Sequence, residues 1–199
     1  MKKTLFLIIV LLLVTGCEFV DDPTVAVTIA KRLSNTARCV DGCSVVIGDS
    51  NVFWYDWNFI PGNVCNKGIG GTQIQFVTDN MDAIAKLNPA RLIIWTGQND
   101  HKRPLEEIKA DYAAMFAAML KLTCPIYILS VHPYNGNLQP DNAQMMQIND
   151  FLRSHDGEGY TFIDIYNDIE ACGEACYFNV GHLSHAGFEI IKTRILEII

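Results

Sequence analysis

The stretch Ser44-Val45-Val46-Ile47-Gly48-Asp49-Ser50-Asn51 decides how the whole chain is read. A short β-branched run bounded by turn formers predicts a buried strand over Ser44 to Ile47. The run breaks at Gly48 into Asp49 and Ser50. In an open α/β sheet, ligands bind in the crevice outside the carboxyl ends of the strands. A serine at that point sits on the rim of the sheet and becomes a nucleophile when a base reaches it. Such a turn is common among α/β proteins, so the rest of the chain has to supply the base and the donors.

Downstream, strand and helix patterns alternate. Val64 and Cys65 end a second predicted strand, which runs into the glycine-rich turn Asn66-Lys67-Gly68-Ile69-Gly70-Gly71-Thr72. Gln73 to Leu87 reads as a helix with Ile74, Val77, Met81, Ile84 and Leu87 on one face, stopped by Pro89. Arg91 to Trp95 is a third strand, leading to Thr96-Gly97-Gln98-Asn99-Asp100. Leu105 to Leu122 is a long helix whose Ala113, Ala114, Ala117 and Ala118 suit close packing on a sheet. Ile126 to Val131 is a fourth strand, and Asp141 is an N-cap candidate for a helix to about Arg153. Tyr160 to Ile165 is a fifth strand, and Phe188 to Ile199 a closing helix. This order predicts an α/β fold: a single-domain, three-layer α/β/α sandwich on a five-stranded parallel sheet, flavodoxin-like, with right-handed crossovers.

The 199 residues are half hydrophobic, enough for one domain with a sizeable core. Lys2 and Lys3 precede an apolar run from Thr4 to Val14, too short to span a bilayer, which reads as a secretory signal. Val14-Thr15-Gly16-Cys17 resembles a bacterial lipobox. The resemblance implies cleavage before Cys17 and diacylglycerol on its thiol, each buried methylene contributing about 0.8 kcal/mol to anchoring. Residues 1–16 are then a signal peptide, 17–38 the lipid anchor and tether, and 39–199 the folded domain. Glu18 after the cysteine points to the outer membrane of the cell envelope by the enteric sorting rule. The bland alternative is an ordinary signal with a chance cysteine. Losing Lys2 and Lys3 takes the formal charge from -7 to -9, which argues against nucleic acid or anionic lipid as a partner.

Six cysteines follow Cys17, an even count in an oxidising compartment, so disulfides are expected. Cys39/Cys43 and Cys172/Cys176 share an i, i+4 spacing compatible with local bridges, although spacing leaves the connectivity open. A four-cysteine zinc site from the same pairs is the sharper and weaker alternative, and no metal or cofactor is called for. Cys65 and Cys124, flanking strands, read as buried small apolar residues.

Ser50, the glycine turn, Asn99 and His182 all fall at strand ends or in the last loop. They supply a nucleophile, backbone N–H donors, an amide donor and a base, the parts that acyl transfer needs. Gly48-Asp49-Ser50, Asn66 to Thr72, Gly97-Gln98-Asn99-Asp100 and His182-Leu183-Ser184 with Gly187 resemble, in order, the four blocks of the SGNH (GDSL-type) hydrolase family. The likeness covers about Val40 to the end. It implies a serine esterase in which Ser50 attacks, His182 is the base, and the N–H groups of Ser50 and Gly71 with the Asn99 amide form the oxyanion hole. Short acyl esters, O-acetylated glycans and lysolipids are the implied substrates.

One position departs from the family. Where it has aspartate three residues before the histidine, this chain has Asn179. An amide there can present the wrong hydrogen-bonding face to the imidazole, and the template triad then loses about 10⁴ in rate. Another acceptor (Asp168, Glu174 or a backbone carbonyl) could orient His182, a Ser–His dyad could work slowly, or the site could only bind glycan or lipid. Phe53, Trp54, Tyr55, Trp57 and Phe59 either line a pocket or cover the core edge. His132 and His185 read as structural and surface residues. A flavodoxin-like nucleotide binder would need a phosphate-cradling loop after the first strand, where Phe53 and Trp54 stand instead.

Overall fold

The structure, a computed structural model, describes residues 39–199. The signal sequence, Cys17 and the tether lie outside the described residues. Five parallel strands form one sheet: β1 (Ser44–Gly48), β2 (Val64–Gly68), β3 (Arg91–Trp95), β4 (Ile126–Leu129) and β5 (Thr161–Ile163). Their spatial order is β2-β1-β3-β4-β5, the doubly wound order with its switch point between β1 and β3. Every residue of β1 is buried, as expected for a central parallel strand covered on both faces.

Alternation along the strands divides the core in two. Val45, Ile47, Leu92 and Ile94 point to one face, under α2 (Ile74–Ala85), α3 (Leu105–Met119) and α4 (Asn142–Ser154). Val46, Ile93 and Trp95 point to the other, under α1 (Ser50–Trp54), α5 (Tyr166–Cys172) and α6 (His185–Leu196). Each fully buried Val, Leu or Ile contributes about 1.5–3 kcal/mol relative to exposure. Asn149 adds a polar clamp: its buried amide both accepts from and donates to the Val131 backbone, at 2.9 Å each way, tying α4 to the tail of β4.

Several boundaries and packing faces differ from the sequence reading. β2 extends through Asn66-Lys67-Gly68, so the glycine turn starts later than expected. In α3 the sheet is met by Ile108, Tyr112, Met115 and Met119, while Ala113, Ala114 and Ala117 are exposed. The large residues recur at i, i+3 and i+4 and set the buried stripe, which leaves the alanines on the far side. The Asp141 side chain makes no capping bond; it closes a 3₁₀ turn and faces His101 Nε2 at 3.5 Å. The last helix starts three residues earlier than expected, because Ser184 caps it by accepting from the Gly187 N–H.

The cysteines also resolve. Cys172 and Cys176 are bridged, as their spacing allowed. Cys39 pairs with Cys65 rather than Cys43, making Cys65 a bridge partner and not a free apolar residue. Cys43 is buried in the core at the foot of β1 as a free thiol, and Cys124 is half-buried and free. With four sulfurs in disulfides, the Cys39/Cys43 and Cys172/Cys176 thiolates are not available as a zinc set.

Gly48 of β1 lies opposite Trp95 of β3 and leaves no room for a side chain. A Cβ there would stand 1.8 Å from the Trp95 carbonyl oxygen and 2.9 Å from a Val52 methyl. Gly48→Ala would have to push β1 from β3. We expect it to cost about 3 kcal/mol, at the upper end of overpacking penalties, read as a drop in the urea midpoint at unchanged m-value.

Candidate active site

Three segments meet at the carboxyl edge of the sheet around Gly48. Its carbonyl accepts from the Ile69 N–H at 3.0 Å and from Thr72 Oγ1 at 3.3 Å, drawing the glycine turn over the end of β1. The Asp49 N–H donates to the Trp95 carbonyl at 3.4 Å. Asp49 then caps α1, its carboxyl accepting from the Asn51 N–H at 2.8 Å and from the Asn51 amide at 3.2 Å. Complete burial pushes the Asp49 carboxyl up to about 7 despite those bonds. Ser50 is the first residue of this helix, so its N–H has no intrahelical acceptor.

The turn after β3 is locked to the glycine turn. Asn99 Nδ2 donates to the Thr72 carbonyl at 2.9 Å, Gln73 Nε2 to the Asn99 carbonyl at 3.4 Å, and the Ile74 N–H to Asp100 Oδ2 at 3.3 Å. Asp100 is fully buried and held by Arg103 at 2.6 Å, and Arg103 also reaches Asp111 at 2.7 Å. One N–H of the Asn99 amide is therefore committed, and the other remains for a ligand. Gly71, at φ 76°, has the left-handed conformation that favours glycine, and nothing lies within 4 Å of where a Cβ would be.

From the far end of the chain, His182 comes to Ser50. Its Nε2 lies 3.0 Å from Ser50 Oγ, and its Nδ1 lies 3.0 Å from Asn179 Oδ1. Asn179 Oδ1 also accepts the backbone N–H groups of Gly181 and His182, at 3.0 Å each. These two N–H groups settle which end of the amide faces the ring, since a turned amide would set NH₂ against both of them. The acceptor therefore faces Nδ1, which must carry the proton, and Nε2 turns its lone pair to the serine. The wrong-face expectation for an amide does not hold here. Asp168 and Glu174 are not the orienting acids: the partner of His182 Nδ1 is Asn179 Oδ1, and Asp168 is gripped by Arg194 at 2.7 and 3.0 Å.

Burial holds the His182 imidazole below its ordinary pKa. His132 lies beneath, wholly buried against Trp95 and Tyr177, and burial takes it down to about 4, so it stays neutral at physiological pH as a structural residue. Of the aromatic run, Trp57 is completely buried, and Tyr55 and Phe59 pack with it on the core around Phe188. Phe53 and Trp54 are half-buried and meet edge to face. His185 is exposed at the start of α6. The structure thus brings Ser50, the glycine turn, Asn99, Asn179 and His182 to one edge. Sequence reasoning missed Thr72 and Asp100 as the joints of the two turns, although both stand inside the motifs it read.

No family model matches the sequence. Curated relatives are the platelet-activating factor acetylhydrolase IB subunit alpha1 of Rattus norvegicus and that of Mus musculus, each 26% identical over 121 residues. The match takes in 55% of this chain and 52% of theirs, so the chain spans about half the length of the curated relatives it matches. Among solved structures, a lipolytic protein of the G-D-S-L family from Veillonella parvula superposes with TM-score 0.68 at 16% identity, covering 78% of this chain and 97% of that one. A GDSL-like lipase from Bacteroides thetaiotaomicron superposes at 0.64 and 17% identity, covering 85% and 95%. A carbohydrate esterase family 3 protein from Talaromyces cellulolyticus gives 0.58 at 16%, covering 77% and 94%. Likeness at this identity establishes the fold.

A carboxylate at position 179 would stabilise the imidazolium that an amide leaves uncompensated. Asn179→Asp is expected to raise the His182 pKa by roughly one unit or more, from a wild-type value below the ordinary 6.5. Titration of the histidine ring protons by NMR checks both the low starting value and the upward direction.

Proposed function

We propose that this chain, which has the fold of the SGNH (GDSL-type) hydrolases, is a serine esterase acting on carboxylic esters. The observation that carries the reading is the unbroken relay from Asn179 Oδ1 through the His182 ring to Ser50 Oγ, with both contacts at 3.0 Å. Ser50 attacks the ester carbonyl as His182 Nε2 takes its proton. The same nitrogen then protonates the departing alcohol, leaving an acyl-serine, and activates the water that releases the acid. The Ser50 and Gly71 N–H groups and the second N–H of the Asn99 amide are the donors for the oxyanion. The acetylhydrolase and carbohydrate esterase relatives support an ester substrate, with a short acyl group or an O-acetyl glycan ahead of a lysolipid.

A carboxylate-free relay has a definite electrostatic consequence. Without a charge at position 179, the imidazolium formed during attack is less stabilised, which slows proton removal from serine. The same absence keeps His182 neutral, and so competent as a base, into mildly acidic solution. The competing reading, a site that binds glycan or lipid without turnover, draws on that missing charge alone. Lipid anchoring through Cys17 would set the domain on the bacterial cell envelope, a placement supported by the sequence of the first residues.

The test is hydrolysis of p-nitrophenyl acetate and butyrate. Ser50→Ala should abolish turnover, and Asn99→Ala should lower kcat by about 10²–10³. The acid limb of kcat/KM should fall below pH 6.5 and move up in Asn179→Asp, with a higher plateau rate. Inert wild type and inert Asn179→Asp, both folded, would favour the binding reading.

A further inference from the structure

Ser50 and His182 are 132 residues apart in sequence and stand on separate elements, a five-residue helix and a loop. A 3.0 Å contact between them needs something that fixes one element to the other. We propose that Tyr55 is a positioning residue for the Ser50–His182 pair, clamping the histidine loop onto the serine helix. The proposal rests on the serine esterase reading of the site.

Tyr55 is the C-cap residue of α1, the helix that begins with Ser50. Its hydroxyl donates to the carbonyl of Leu183, the residue after His182. That carbonyl needs an outside donor. Tyr177 and Leu183 face each other in an antiparallel bridge, held by Phe178 N–H to the His182 carbonyl and Ser184 N–H to the Cys176 carbonyl. In this pattern the N–H and C=O of Leu183 itself point away from the partner segment. Leu183 is only 4% exposed, so a carbonyl left unpaired there would lack ready water.

The ring of Tyr55 adds two further contacts. It stacks on Phe188 of α6 at 4.1 Å between centroids and 5° between planes, and parallel to Trp95 at 6.4 Å and 17°. Trp95 ends β3, just ahead of the turn that carries Asn99. One side chain therefore touches the helix of the nucleophile, the loop of the base and the strand that delivers the amide donor. The stack sets where the hydroxyl lies, and the hydroxyl sets the height of the histidine loop over Ser50. Misplacing a reacting group by about 1 Å can cost 10² in rate, so one hydrogen bond at this point has leverage on catalysis that it lacks elsewhere in the core.

Tyr55→Phe in the full chain keeps the stack and deletes only the hydroxyl. We expect kcat on p-nitrophenyl acetate to fall roughly ten-fold or more, with KM within about two-fold of wild type. A core aromatic with no positioning role would lower the melting temperature and leave kcat per folded molecule unchanged. The second readout does not depend on turnover: ¹⁵N NMR of the histidine rings. Wild type should show His182 as the Nδ1-protonated tautomer, and Tyr55→Phe should shift or broaden its Nε2 resonance while those of His132 stay in place. Wild-type kcat together with a wild-type His182 spectrum in Tyr55→Phe overturns the proposal. An inert wild type whose His182 spectrum nonetheless changes in Tyr55→Phe would remove the esterase reading and keep the clamp.

Discussion

The geometry of this protein turns on the closeness of β1 and β3 at Gly48. No side chain can stand there without pushing the strands apart, and with the strands in place the Gly48 carbonyl takes the Ile69 N–H and the Thr72 hydroxyl while the Asp49 N–H reaches the Trp95 carbonyl. Three loops that are remote in sequence are thereby gathered at one edge with their backbones already paired to each other. Ser50 follows two residues later, at the first position where a helix can begin and a side chain can leave the sheet. The short helix, the glycine turn and the Asn99 turn are then a single hydrogen-bonded unit, and a ligand meets donors that need little reorganisation.

His182 is held by different physics. Its loop is braced by the Cys172–Cys176 disulfide ahead of it, the Tyr177–Leu183 bridge within it and the Ser184 cap after it. Inside that frame, one amide oxygen accepts three N–H groups and fixes the tautomer of His182. Orientation and charge are separable contributions of an acceptor placed against an imidazole. Asn179 supplies the first through hydrogen bonding, and the protein forgoes the second. Burial of His182 acts in the same direction as the missing charge, since both favour the neutral ring.

Much of this was legible beforehand, for physical reasons that can be stated residue by residue. Arg91 to Trp95 is a strand in both readings because Leu92 to Trp95 are buried on both faces of the sheet, and a parallel strand so covered must be continuously apolar there. Ile74, Val77, Met81 and Ile84 form the buried face of α2 because a 3.6-residue period leaves no other face to bury. The alanines of α3 misled because smallness allows close packing without compelling it; Tyr112 and Met115 had more apolar area to remove from water. The bridge from Cys39 to Cys65 was out of reach because β2 pairs alongside β1, a neighbourhood across the sheet that spacing along the chain does not encode.

By itself the sequence determined the strand–helix alternation and the doubly wound class, and it offered Ser50, the glycine turn, Asn99 and His182 as candidate groups for chemistry. These follow from local periodicity and from the chemical nature of side chains at predicted strand ends. Tertiary structure alone decided which face Asn179 turns to His182, that Thr72 and Asp100 join two turns, and that Tyr55 reaches Leu183. Each of these depends on the direction of a hydrogen bond between segments remote in sequence. Such a direction is set only when packing has fixed both backbones, because the same amide, hydroxyl or carboxyl could otherwise serve water equally well.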